Sequence, residues 1–102
     1  MSSPRLEDLL RVLVENRGSD LHIQCDEAPL GRINGDLGRF EMTPLTEADV
    51  MNLVGQTLGT EEKVKAFLET RDCDAAVAFP DLGRFRANLF FQRNKPGIVL
   101  RQ

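Results

Sequence analysis

The chain has 102 residues, 41% of them hydrophobic and 28% charged, and a formal net charge of −3. That composition fits one globular domain able to bury about 65% of its unfolded surface around a modest core. No apolar run approaches the ~18 residues a membrane helix needs, Met1-Ser2-Ser3-Pro4-Arg5 lacks the apolar stretch expected of a signal peptide, and a net acidic chain is expected to be a poor general nucleic-acid binder, because that affinity comes mainly from phosphate neutralisation.

The net charge hides a split. Residues 1–81 hold all 16 acids against eight Lys and Arg, a sum of −8. From Leu82 onward there are Arg84, Arg86, Arg93, Lys95 and Arg101 and no acid, a sum of +5. A cationic run without a local counter-charge usually faces an anion: the domain's own acidic part, a phosphate ligand or a partner.

In chain order, Ser3-Pro4 reads as a helix start, a capping hydroxyl followed by proline at the first helical position. Leu6, Leu9, Leu10 and Leu13 keep helical spacing, and Gly18 is expected as the left-handed cap. The period then falls to two, with Leu21, Ile23 and Cys25 toward a core and Asp20, His22 and Gln24 away from it. After a turn at Asp26–Pro29, Leu30–Ile33 and Leu37–Met42 are strands joined by Asn34-Gly35, a strong hairpin signal because both residues tolerate positive φ. Thr46-Glu47-Ala48-Asp49 resembles a capping box and opens a second helix carrying Val50, Leu53, Val54 and Leu58. Gly59 stops it. Thr60 opens a third helix with Val64, Phe67 and Leu68 on one side. Cys73, Ala75, Val77 and Phe79 form one face of the next strand, and Pro80–Gly83 is a turn. Phe85, Ala87, Leu89 and Phe91 then alternate with Arg84, Arg86, Asn88 and Phe90. A turn at Asn94–Gly97 and a last strand, Ile98–Leu100, complete the order αβββααβββ. Hairpins without βαβ alternation predict an α+β fold, a mainly antiparallel sheet with packed helices. A chain stopping at Gln102, straight after a strand, suggests a piece of something longer.

Catalytic chemistry finds little support in these residues. His22 is the one histidine. It has no second histidine or spaced cysteines to build a zinc site, and a polar strand residue making a structural hydrogen bond is the expected role. Asp72 and Asp74 share a strand face, where solvation or pairing with Lys or Arg is the expectation. Cys25 and Cys73 sit in strand-like segments without basic sequence neighbours and read as reduced, buried thiols of a cytoplasmic protein. No Walker pattern precedes Lys63, Lys65 or Lys95, so the chain itself carries no nucleotide-triphosphate loop. Face matching across the Pro80–Gly83 hairpin places Arg84 and Arg86 opposite or diagonal to Ala76 and Ala78. Their guanidinium forks are then open to an external carboxylate or phosphate, to other acids on the same face, or to solvent.

Four stretches, taken in order, resemble one family. Gly18-Ser19-Asp20-Leu21-His22-Ile23, Pro29 with Arg32-Ile33-Asn34-Gly35-Asp36, Arg84-Phe85-Arg86-Ala87-Asn88, and Gln92-Arg93 with Val99-Leu100-Arg101 resemble the N-terminal domain of PilT-type ATPases. These are retraction motors of type IV pili and relatives of the type II secretion ATPases.

The resemblance spans nearly the whole chain. It implies a PAS-like N-terminal domain, residues 1–102, at the head of a cytoplasmic homo-hexameric ATPase. The RecA-like domain with the Walker motifs, which would use ATP and Mg, is absent from this chain, so the fragment itself is expected to be no enzyme and to need no cofactor. The implied partners are the ATPase core of the adjacent subunit and the pilus machinery, at the inner-membrane pilus base, without nucleic acid or membrane insertion. Arg32, Arg84, Arg86 and Arg101 are the implied candidates for a nucleotide or subunit interface. Departures from the pattern are Gly31, where a larger strand residue is expected and a loosened strand or bulge is implied, and the charged Asn94-Lys95-Pro96 turn. A free-standing PAS-like sensor or adaptor is the alternative, although the predicted inward residues are almost all apolar. A small anion- or nucleic-acid-binding module is disfavoured by the 16 acids.

Overall fold

A computed structural model describes residues 4–102 of the chain. Leu6, Leu9, Leu10 and Leu13 are all buried on one stripe of α1, Leu6–Glu15. The predicted start is corrected: Pro4 precedes the helix, Arg5 is the N-cap without a side-chain cap bond, and Ser3 lies outside the described residues. A long-range contact takes over the capping role, because the Leu6 N–H donates to Gln56 Oε1 at 2.7 Å. The predicted end also shifts. Arg17 takes the left-handed conformation (φ 57°), while Gly18 begins β1, Gly18–Gln24. Gly18 is needed for close approach instead, since a Cβ there would lie 2.4 Å from Leu13 Cδ1 and 3.1 Å from the Arg32 carbonyl oxygen.

β2, Leu30–Ile33, and β3, Asp36–Arg39, form the expected hairpin, with Asn34 and Gly35 at φ 54° and 84°. The return strand is shorter than predicted. It ends at Arg39, and the Phe40 ring turns inward to occupy the space beside Gly31, where a Cβ would lie 2.8 Å from Phe40 Cε1. Gly31 therefore neither loosens its strand nor marks a bulge; it pairs regularly with Leu21 and Gly38, and the irregularity lies in β1, between Gly18 and Asp20.

The capping box of α2, Glu47–Leu58, forms in full: Thr46 Oγ1 accepts from the Asp49 N–H at 3.0 Å, and Asp49 Oδ2 accepts from the Thr46 N–H at 2.9 Å. Gly59 caps its end at φ 86°. Thr60 caps α3, Glu61–Thr70, whose Phe67 is buried while Leu68 is exposed, against the expected shared face.

The last three strands are β4, Asp72–Phe79, β5, Gly83–Gln92, and β6, Lys95–Arg101. The final turn is tighter than predicted. Arg93 and Asn94, both left-handed at φ 54° and 63°, make a two-residue turn between the directly paired Gln92 and Lys95. Pro96 is thereby drawn into a strand. Hydrogen-bonded and non-bonded pairs alternate along an antiparallel ladder, so the Phe91–Pro96 pair next to the turn needs no proline N–H. On the other flank β1 pairing stops at Gln24–Gly97, so no ladder bond is lost there.

All six strands form one antiparallel sheet in the order β3-β2-β1-β6-β5-β4. This is the expected α+β, PAS-like arrangement. Period-two alternation sends Leu21, Ile23, Phe85, Ala87, Leu89, Ile98 and Leu100 to one face, where they meet the apolar stripes of all three helices in a single core. Thr57 is the buried polar side chain among the described residues, and its hydroxyl donates to the Leu53 carbonyl at 2.8 Å. Among the described residues, no helix is long and apolar enough to cross a membrane.

A candidate interface on the open sheet face

With the helices on one face, the other face of the sheet carries the alternate residues. Cross-strand pairing lines them up in rows. One row runs Arg32, Asp20, Arg101, Arg86, Ala76, across β2, β1, β6, β5 and β4. The next runs Leu30, His22, Val99, Asn88, Asp74. Arg84 stands two residues along β5 from Arg86, opposite Ala78. The sheet thus brings all four predicted arginines to one face and three of them into one line. Arg84 and Arg86 lie directly opposite Ala78 and Ala76, as face matching required.

The four are not electrostatically equal. Arg32 Nε is 3.4 Å from Asp20 Oδ2, and its Nη1 donates to the Gly35 carbonyl at 2.9 Å. Arg101 Nε is 3.8 Å from Asp20 Oδ1. Both therefore answer to an acid of this domain. Arg84 and Arg86 make no ion pair among the described residues, and neither does Arg93. The fifth tail cation, Lys95, holds Asp26 at 2.7 Å, and that hydrogen bond raises its pKa. The acid-free tail is thus partly quenched from within, leaving Arg84 and Arg86 as the open forks on the sheet face.

Asp20 is the residue that sequence reasoning missed. Its outward direction was legible, but its place between Arg32 and Arg101 depends on β1 lying beside β6. Asp72 and Asp74 are exposed, the solvated branch of the expectation, and make no ion pair among the described residues; both accept from Asn88 Nδ2, at 3.3 and 3.1 Å. His22 Nε2 lies 4.0 Å from Asp20 Oδ2 and is buried without a hydrogen-bond partner, so the expected structural bond is not made there. His22, Arg86, Asn88, Val99 and Arg101 line a hollow of about 450 Å³ on this face.

The thiols depart from the reading as buried groups. Cys25, just past β1, and Cys73, on β4, are free and only half-buried, and burial is the leading cause raising the pKa of each. No group of three or more His, Cys, Asp or Glu among the described residues is placed to hold a metal ion.

A one-sided helical layer under a six-stranded antiparallel sheet, with arginines rowed on the open face, defines an α+β domain. The comparisons with known proteins say which class of domain it is. No family model matches the chain. It is 35% identical over 96 residues to the type IV pilus ATPase PilU of Pseudomonas aeruginosa, a match covering 94% of this chain and 25% of that protein. It is 30% identical over 96 residues to the type IV pilus retraction ATPase PilT of the same organism, covering 94% and 28%. The chain spans about a quarter of the length of these curated relatives. Among solved structures, the pilus retraction motor PilT with bound ADP superposes with a TM-score of 0.86 at 26% identity, over 97% of this chain and 29% of that one. The Legionella pneumophila ATPase DotB shares the fold, with a TM-score of 0.82 at 20% identity over 95% of this chain and 28% of that one. Over nearly its whole length, the chain is homologous to the PilT-type secretion ATPases and matches their N-terminal domain.

Proposed function

We propose that this chain is the regulatory and assembly domain of a PilT-like hexameric ATPase that powers type IV pilus retraction. In this reading it works in the cytoplasm at the inner-membrane pilus base, and its open sheet face packs on the ATPase core of the neighbouring subunit. That core supplies ATP and Mg chemistry. The domain supplies cations that neutralise phosphate charge or acids across the interface, in a low-dielectric setting where such contacts strengthen. The sheet moves as a rigid body against the core as nucleotide is bound and released.

The observation that carries this reading is the pair Arg84 and Arg86, which face alanines and lack an ion pair among the described residues while Arg32 and Arg101 share Asp20. The relatives' names supply the ATPase and pilus context. A sensor that takes a polar ligand into its core is disfavoured, because the core cluster is apolar.

The coding sequence beyond Gln102 tests the assignment directly. A Gly-x-x-x-x-Gly-Lys-Ser/Thr motif within a further domain's length is expected, and a frame lacking the P-loop lysine would sink it. The isolated domain should bind ATP negligibly; a micromolar dissociation constant for a fluorescent nucleotide would contradict half a site.

A further inference from the structure

The row of charges on the open face is one anion short. Across it the order is cation (Arg32), anion (Asp20), cation (Arg101), cation (Arg86), then Ala76. Arg101 and Arg86 are directly paired across β6 and β5, and like charges in that relation repel. The hollow lined by Arg86, Arg101, Asn88, His22 and Asp74 opens at the same place; Asp74 there accepts from Asn88 Nδ2 at 3.1 Å, and His22 Nε2 is buried without a hydrogen-bond partner.

The two arginines on Asp20 are held unequally. Arg32 is closer, at 3.4 Å, has a second anchor at the Gly35 carbonyl, and is 38% exposed. Arg101 stands off at 3.8 Å through Nε, is 70% exposed, and has no second polar contact among the described residues. The arginine end of that pair is exposed, although Asp20 is only 15% exposed, and the single contact is long, so an incoming charge can displace it.

The geometry points to Arg101 as an exchangeable arm and to Asp20 as the positioning residue that holds it. A phosphate oxyanion entering between Arg86 and Arg101 draws Arg101 off Asp20, and Asp20 stays neutralised by Arg32. Asp20 is then an internal competitor: it keeps Arg101 ordered while weakening the site for anions until a phosphate arrives. This rests on the interface reading above and adds a regulator to that site.

The test follows the arginine Nε–H signals of the full 102-residue chain by NMR at low ionic strength, with inorganic pyrophosphate at millimolar concentration as the probe, to suit the weak binding expected of half a site that takes up no ATP at micromolar concentration. Arg86 and Arg101 should shift together, and Arg32 should not. Asp20→Asn, nearly isosteric, should bind pyrophosphate about two- to five-fold tighter, the fold-change equivalent to losing one weak ion-pair competitor. Unchanged or weaker binding by Asp20→Asn overturns the exchange, as does Arg32 shifting with Arg101 or no shift at all. Equal binding of succinate overturns the assignment to phosphate. The wild-type shifts need no variant to fold. If the exchange fails while removal of Arg84 and Arg86 still lowers ATP turnover in the intact motor, Asp20 loses this role and the interface reading stands.

Discussion

At the scale of the residue, Gly18 shows how a position can keep its identity while its reason changes. Turn chemistry suggested a left-handed cap, yet Arg17 takes that conformation, and Gly18 serves the packing of Leu13 against the Arg32 backbone. Gly18→Ala should therefore destabilise the domain by about 1–3 kcal/mol, read as a lower urea midpoint, because a Cβ has no space there. Stability within ~0.5 kcal/mol of the original would mean that Leu13 moves aside freely. The half-buried thiols give a second prediction. Burial raises the pKa of Cys25 and Cys73 above the ordinary 9.0. The neutral thiol is thus the native form, and stability holds below pH 9 and declines above it as the unfolded chain loses its protons first. At pH 8 both thiols should alkylate more slowly in the folded chain than in urea. Equal rates would show that neither is shielded.

At the scale of the element, what was legible in the sequence was local. Asn34-Gly35 specifies its turn by tolerating positive φ, Thr46 and Asp49 specify a helix start by reciprocal bonding, and period-two alternation fixes which face each arginine takes. The misread elements are those where a distant contact outweighs a local preference. Gln56 caps α1 from another helix. Asn94–Gly97 carries turn residues, yet strand pairing through Gln92 and Lys95 places the turn at Arg93-Asn94. Across the same end of the sheet, Arg71 stacks over the Phe91 ring at 4.3 Å and donates to Asn94 Oδ1 at 2.8 Å, while Phe67 packs on that ring at 5.1 Å. These contacts tie the end of α3 to the β5–β6 hairpin. Arg93 at φ 54° holds a conformation that asparagine adopts more readily. Arg93→Asn should raise stability by up to ~1 kcal/mol in urea melts. A loss instead would mean that the Arg93 side chain contributes to the hairpin.

At the scale of the whole molecule, the charge split in the sequence resolves into a division of labour. Lys95 and Arg101 turn to Asp26 and Asp20 of the same domain, and Arg84 and Arg86 remain open on the sheet face. The candidate arginines were readable from strand alternation and from the family resemblance. Their inequality was not, because it depends on β1, early in the chain, lying beside β6, at its end. The central claim is that the open pair meets an anion supplied by a neighbouring ATPase core. The most direct measurement is ATP turnover by the intact motor carrying this domain, with Arg84→Ala and Arg86→Ala together. The account predicts a fall of about 100-fold or more if the pair stabilises developing phosphate charge, with the melting temperature of the domain unchanged. Turnover and assembly equal to those of the original protein would contradict it.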